Sequence, residues 1–340
     1  MGTKTVIAAL ICVALTATGC ATEIAGVAQP LGASQDQSTG GGGTTATTSE
    51  LGDPRTVDVC QFAPQDAFKA MAPNFKLDKS LSDYGSCYFS LILADASTPP
   101  KVTGGFLLDV KTQTGMATPE DYLKMFQVTV TPKQMDGRTV FAGKGAKDVG
   151  CVRGISLSGG QAIVVKASNS SAHPDADPCP AADALATGAL GVLKAGNLKH
   201  IPFPAGSAGD VDLCPALASV ASKALGSAVT TTPSGFYGCN WIGTSRNVVS
   251  VLVSSDSWPP QFKIGTPQPS QVGSRPALTA AFGNDKLSST YIQVQYTKSP
   301  YKDDEFEVLT VSLTVSGNND VTARTQQIAA DVVNALDGHH

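Results

Sequence analysis

The chain has 340 residues, 24 of them Lys or Arg and 28 Asp or Glu, for a net charge of −4. A mildly acidic surface offers no basic field to nucleic acid or to acidic lipid headgroups, which excludes nucleic acid as a partner. The length suits two ordinary domains behind an N-terminal extension.

Residues 1–19 carry Lys4, an apolar run from Val6 to Leu15, and the small residues Ala17, Thr18 and Gly19 ahead of Cys20. Basic residue, apolar core and small residues in that order are an export signal. The run is about ten residues long, whereas roughly 20 are needed to cross the hydrocarbon core, so it reads as a leader and not as a retained transmembrane helix. Small residues leading into a cysteine resemble a bacterial lipobox, with Ala17 where leucine is commoner. Cleavage before Cys20 and acylation there, palmitate included, are expected, with an ordinary secretory signal as the alternative. Several acyl chains on one residue hold a protein firmly where one holds it only marginally. The expected location is the outer face of the cell membrane.

Residues 20–55 hold the stretch GASQDQSTGGGGTTATTSE, without apolar periodicity. Nothing there offsets chain entropy by burial, so a flexible tether is expected, with a root-mean-square span of roughly 30 Å. Thr44, Thr45, Thr47 and Thr48 make O-linked sugar an equal alternative to a bare linker.

Beyond the tether the chain repeats itself. Val57-Asp58-Val59-Cys60 recurs as Val211-Asp212-Leu213-Cys214, and Tyr84-Gly85-Ser86-Cys87-Tyr88-Phe89 as Tyr237-Gly238-Cys239-Asn240-Trp241. The first cysteine of each pair opens a helix-like stretch, Pro64 to Met71 and Pro215 to Leu225. The segments from Cys179 to Leu193 and from Val321 to Leu336 end the two copies alike, with apolar residues at helical spacing. Alternating β-branched runs lie between: Ser86 to Leu93, Thr103 to Lys111, Val149 to Leu157 and Gln161 to Ser168, then Val248 to Ser254, Leu278 to Phe282, Tyr291 to Thr297 and Phe306 to Ser316. Ser158-Gly159-Gly160 reads as a hairpin turn, and Thr118-Pro119 as a further helix start.

Six cysteines besides Cys20 follow the leader, at 60, 87, 151, 179, 214 and 239. An even count in an exported chain points to disulfides, and six cysteines allow 15 pairings. The repeat makes Cys60–Cys87 and Cys214–Cys239 equivalent pairs and leaves Cys151–Cys179. The second copy lacks both partners of that last pair, near Ser288 and Thr322. The spacing of a metal site is missing. The predicted organisation is a first α+β domain over 56–197, a linker over 198–209 and a second α+β domain over 210–338. Each is expected to be an antiparallel β-sheet with helices packed on one face.

An acidic residue two before a cysteine, a helix, and a second cysteine followed within two residues by an aromatic, all behind a lipobox and tether, resemble a known family. These are the actinobacterial cysteine-pair lipoproteins of unknown function, of the mycobacterial LprB/LprC type. Asp58-Val59-Cys60 with Cys87-Tyr88-Phe89 carry the resemblance in the first copy, and Asp212-Leu213-Cys214 with Cys239-Asn240-Trp241 in the second. The tandem arrangement departs from single-copy relatives, and the motif implies a fold without implying a chemistry.

Catalysis needs a nucleophile, acid or base held in geometry. The four histidines, His173, His200, His339 and His340, are scattered, and Ser156-Leu157-Ser158-Gly159-Gly160 misses the G-x-S-x-G elbow. Asp175 with Asp177, and Asp303-Asp304-Glu305, lack calcium-loop spacing and read as solvated turns. Asp58 and Asp212 read as helix-start carboxylates. No cofactor and no metal are expected. Trp241 is expected to pack on its own disulfide. Trp258, with Phe236, Tyr237 and Tyr301, is the candidate contact surface. The reading is a non-enzymatic envelope module binding a protein or small ligand. A carrier of a lipid or apolar ligand between sheet and helices is the alternative, and an envelope hydrolase the residual one.

Overall fold

A computed structural model describes residues 49–72, 74–99, 101–114, 120, 123, 128–145, 150–226, 228–260, 266–284, 286–317 and 321–339. The leader, Cys20, the Thr-rich tether and the Thr118-Pro119 helix start lie outside them.

Two seven-stranded antiparallel sheets and a few helices make an α+β fold. The first sheet contains β1 (Asn74–Asp83), β2 (Ser86–Ala94), β3 (Val102–Gln113), β4 (Thr129–Met135), β5 (Arg138–Lys144), β6 (Cys151–Ser156) and β7 (Ala162–Asn169). Helix α1 (Cys179–Ala195) follows, with Gly196 in the left-handed region as its stop. Next come α2 (Leu213–Ala216) and α3 (Ala218–Leu225). The second sheet holds β8 (Val229–Pro233), β9 (Gly238–Gly243), β10 (Val248–Ser257), β11 (Gln268–Val272), β12 (Arg275–Asn284), β13 (Leu287–Lys298) and β14 (Glu305–Ser316), and α4 (Thr322–Asp337) closes the chain. The spatial orders are β1-β2-β3-β7-β6-β5-β4 and β11-β12-β13-β14-β10-β9-β8. Counted from the first strand of each sheet and read from the same end, the two orders coincide.

Alternation along the strands sends one side of each into a core. Phe89, Leu91, Leu108, Val110, Ile163 and Val165 cluster with Leu185, Ala186 and Ala189 of α1. Val251, Val253, Ile292, Val294, Leu309 and Val311 cluster with Ile328, Val332 and Leu336 of α4. At the middle of α1, a Cβ on Gly188 would sit 2.8 Å from Pro64 Cδ, so only glycine lets the chain around Pro64 approach this closely.

The cysteine pairs stand at disulfide distance as 60–87, 151–179 and 214–239. Asp58 and Asp212 accept from the backbone N–H of Cys60 and Cys214, the N-cap interaction that satisfies an otherwise orphaned donor. The Pro64 to Met71 stretch is not an α-helix. It holds a 3-10 turn, Gln65–Phe68, with Pro64 extended at its N-cap, and a separate 3-10 turn, Val59–Phe62, precedes it.

The flexible tether expected up to residue 55 ends earlier: Leu51 is fully buried in the first core, and Glu50 pairs with Arg138 at 2.5 Å. The linker 198–209 is packed against both halves. Thr56 and Asp58 exchange backbone hydrogen bonds with Ile201 and Lys199, and Ser207 and Ala208 are fully buried. The described residues, from Ser49 onward, form one compact unit holding both sheets.

Candidate functional site

The turn between β1 and β2 reaches out of its own sheet. Gly85 holds it at a φ of 64°, with a would-be Cβ 3.0 Å from the Tyr237 ring. The turn drives Tyr84 into the core of the second sheet, where it is 7% exposed. There its ring lies 4.9 Å from Tyr237 and 5.3 Å from Tyr301, both edge-on, and stacks 5.9 Å from Phe203. Such aromatic pairs add roughly 0.5–1.5 kcal/mol beyond their buried area.

A buried carboxylate completes the joint. Glu307 of β14 has no solvent exposure. It accepts hydrogen bonds from the Tyr84 hydroxyl and the Ser207 hydroxyl, and from the Ala208 backbone N–H at 2.9 Å. Burial pushes the Glu307 carboxyl above the ordinary range, and the donors from Ser207, Tyr84 and the backbone restrain that rise. Burial and the neighbouring Glu307 also push the Tyr84 phenol up, which keeps it protonated as a donor. The Tyr237 hydroxyl donates to the Arg55 carbonyl, and Arg55 Nη1 donates to the Asp210 carbonyl at 2.6 Å.

A second set of acidic groups lies alongside. Asp83 Oδ1 accepts from the N–H of Tyr84 at 2.7 Å and of Ser255 at 2.6 Å. The Ser255 hydroxyl donates to Glu305 at 2.6 Å, and Lys302 Nζ meets the other Glu305 oxygen at 2.6 Å. Burial pushes the Asp83 carboxyl to about 6, with the backbone donors opposing and Asp256 and Glu305 adding to the rise.

This arrangement joins the two halves of the chain and does not present a reactive group. Ser207 beside Glu307 has the composition of a nucleophile and base, yet both are fully buried and already bonded to each other. Tyr237 and Tyr301, expected at a contact surface, are instead brought together in this joint. Phe236 is half-buried against the second core. Trp258 is half-buried and lies outside both core clusters among the described residues. Trp241 is 1% exposed in the same core as Cys239. Asp177 spends its carboxylate on Lys144 and the Cys179 N–H, and Glu305 on Lys302 and Ser255. Cys151, Asp177 and Cys179 come within 4.8 Å of one another, but the two sulfurs are joined in a disulfide and supply no thiolate to a metal.

Sequence reasoning missed Glu307 and Ser207. The signal was present: Glu307 sits at an inward position in the alternation of Leu309, Val311 and Leu313, where an ionisable group needs partners. A second charged cluster, under α1, was also missed. Arg153, 5% exposed at an inward position of β6, donates from Nε to Asp183 of α1 at 2.8 Å, and Lys133 of β4 reaches the other Asp183 oxygen at 3.0 Å. Burial pushes the Asp183 carboxyl up, and Arg153 and Lys133 more than offset it, holding the group below its ordinary range.

No protein-family model, curated protein or solved structure matches the chain.

Proposed function

We propose that the protein is a lipid-anchored, extracytoplasmic binding module of the cell envelope, without catalytic activity of its own, similar to the actinobacterial cysteine-pair lipoproteins. Cys20 carries the acyl anchor, and the residues after it lead to two copies of one domain. Each copy is an antiparallel sheet with a helix on one face. The observation that carries this reading is the coincident strand order of the two sheets, together with a cysteine pair at the same place in each. The clustering of α1 and α4 with inward strand residues supports the helix placement.

Joined through Tyr84 and Glu307, the two copies form one body whose outward surface is set rigidly, which limits the entropy lost when a partner docks. The partner is an envelope protein or a small ligand. Metabolic labelling with an alkyne palmitate analogue tests the anchor: label is expected on the wild type and absent from Cys20→Ala. Crosslinking in living cells tests the module, with a defined envelope neighbour expected. Steady turnover of an envelope substrate by the purified chain would refute it.

A further inference from the structure

The two sheets can be aligned residue by residue through their ladders, and the alignment isolates one difference. Cys151 pairs across the first sheet with Ala167 and Lys144 and bonds to Cys179, the first residue of α1. Thr290 pairs with Leu313 and Ala281, and its hydroxyl lies 3.3 Å from that of Thr322, the first residue of α4. Thr290 and Thr322 therefore stand where the first half has its second disulfide.

Counting onward, Arg153 corresponds to Ile292 and Asp183 to Gln326. Arg153 pairs with Ala142, which pairs with Thr131. Ile292 pairs with Thr279, which pairs with Gln268. Two residues along the edge strand, Lys133 thus corresponds to Ser270. The ion cluster that fills the space under α1 is replaced under α4 by Ile292, Gln326 and Ser270, all neutral.

A cleft of about 650 Å³ opens at that place, lined among others by Gln268, Ser270, Thr279, Ala281, Thr322 and Gln326. Its size is within the range of small-molecule sites. Among the described residues, the lining contains hydroxyls, amides and methyl groups, with neither an ionised side chain nor a large aliphatic or aromatic one. On that lining a charged ligand would lose its hydration without an opposite charge to replace it. On that lining an acyl chain would find only methyls to pack on. Ser270 and Thr279 hold each other at 2.9 Å, and each hydroxyl has capacity for a further bond, as do the glutamine amides, which both donate and accept.

We propose that this cleft binds a neutral oligosaccharide, whose hydroxyls match that mixed donor and acceptor lining and whose C–H faces match its methyls. The proposal deepens the binding-module reading by naming a ligand class, and it rests on that reading only in choosing a ligand over a reaction.

The test uses the full chain in micelles of a detergent without a sugar headgroup. Neutral maltotriose and chitotriose, acidic trigalacturonate and palmitate are titrated separately and followed by calorimetry and saturation-transfer NMR. At least one neutral trisaccharide is expected to saturate the protein below about 10 mM, with trigalacturonate and palmitate silent. Transplanting the charges with Ser270→Lys and Gln326→Asp should weaken binding at least about tenfold. Ala281→Trp, which blocks the cleft without adding charge, should do the same if the charged pair does not fold. Failure of both neutral sugars to bind, binding unchanged in a folded variant, or tighter binding of trigalacturonate or palmitate would each overturn the proposal. None of these results bears on the crosslinking test of the module.

Discussion

Tyr84 is the side chain on which the coupling of the two halves depends, and its replacement has a calculable effect. Tyr84→Phe keeps the ring contacts with Tyr237, Tyr301 and Phe203 but removes one donor to the buried Glu307 carboxylate, a loss of about 1.5–3 kcal/mol for a hydrogen bond to a charged group. Tyr84→Ala also empties the ring site, for which burial data on large-to-small changes give about 3–5 kcal/mol. The two effects share partners and do not add fully, so about 5 kcal/mol is expected for the alanine variant. Both tryptophans, Trp241 and Trp258, lie in the second half, so their fluorescence reports that half while far-UV circular dichroism reports both sheets. In urea the wild type should unfold with coincident fluorescence and dichroism transitions. In Tyr84→Ala the fluorescence midpoint should fall below the dichroism midpoint, because the second core has lost a member and the halves are uncoupled. An alanine variant that loses less than about 1 kcal/mol and keeps coincident transitions would refute the joint as described.

Two further outcomes follow from the same geometry. Thr290→Cys with Thr322→Cys should form a fourth disulfide in oxidising conditions, raising stability by up to about 3.5 kcal/mol by chain entropy, with the gain lost on reduction; thiols that stay free in non-reducing peptide maps would show that the ladder alignment is wrong. Asp83 has a folded pKa of about 6 against an ordinary 3.8, so the folded chain holds the proton to higher pH than the unfolded one. Stability should therefore decline as pH rises from about 4 to about 6 and change little from this group above that. Asp83→Asn, which retains the acceptor for the Tyr84 and Ser255 N–H groups, should be about 1–2 kcal/mol more stable than wild type at pH 7.5 and show a shallower slope. Glu307 and Asp109, whose carboxyls burial also pushes up, contribute to the residual slope. A variant less stable than wild type at pH 7.5 would count against the burial of that charge.

Strands buried on one face were legible because their alternation is strong: Ser86 to Leu93 and Phe306 to Ser316 coincide closely with β2 and β14. Edge strands were not. β1 reads NFKLDKSLSD and β4 reads TVTPKQM, and edges tolerate charge and proline because one side of the ladder makes no sheet bonds. The disulfide pairing was legible because the repeat reduced it to one solution. The joint was not, because its members come from the β1–β2 turn, the 198–209 segment, the residue before β9, the β13–β14 connection and β14. Nothing local marks Tyr84 as belonging to the second core, and its place in the repeated Tyr-Gly motif points to its own turn. Tyr237 and Tyr301 were candidates for a contact surface alongside Trp258, with burial in the core the default reading; tyrosine is readily buried when its hydroxyl finds a partner, as Tyr237 does at Arg55. Under the two closing helices, Arg153 and Thr290 could be matched with Asp183 and Thr322 only once the strand register was known.

The halves differ in how much each supplies for itself, and this asymmetry predicts how they behave apart. The first sheet carries two disulfides and the Arg153–Asp183 ion pair. The second carries one disulfide and the Thr290–Thr322 hydrogen bond. The second core also includes Tyr84 from the first half, and without that residue the buried Glu307 has one donor fewer. A fragment ending after Ile201 retains the backbone bonds of Thr56 and Asp58 to Ile201 and Lys199 and loses the partners of the β1–β2 turn and of Arg55. It should fold with a cooperative thermal transition. A fragment beginning at Pro202 loses a core aromatic and a buried hydrogen bond together, about 5 kcal/mol by the estimate for Tyr84→Ala, which is comparable to the whole stability of many domains. It should show poor amide dispersion by NMR until the first fragment is added, and dispersion comparable to the intact chain afterwards. A second-half fragment that folds alone to full stability would mean that Tyr84 is a guest in that core and not a member of it.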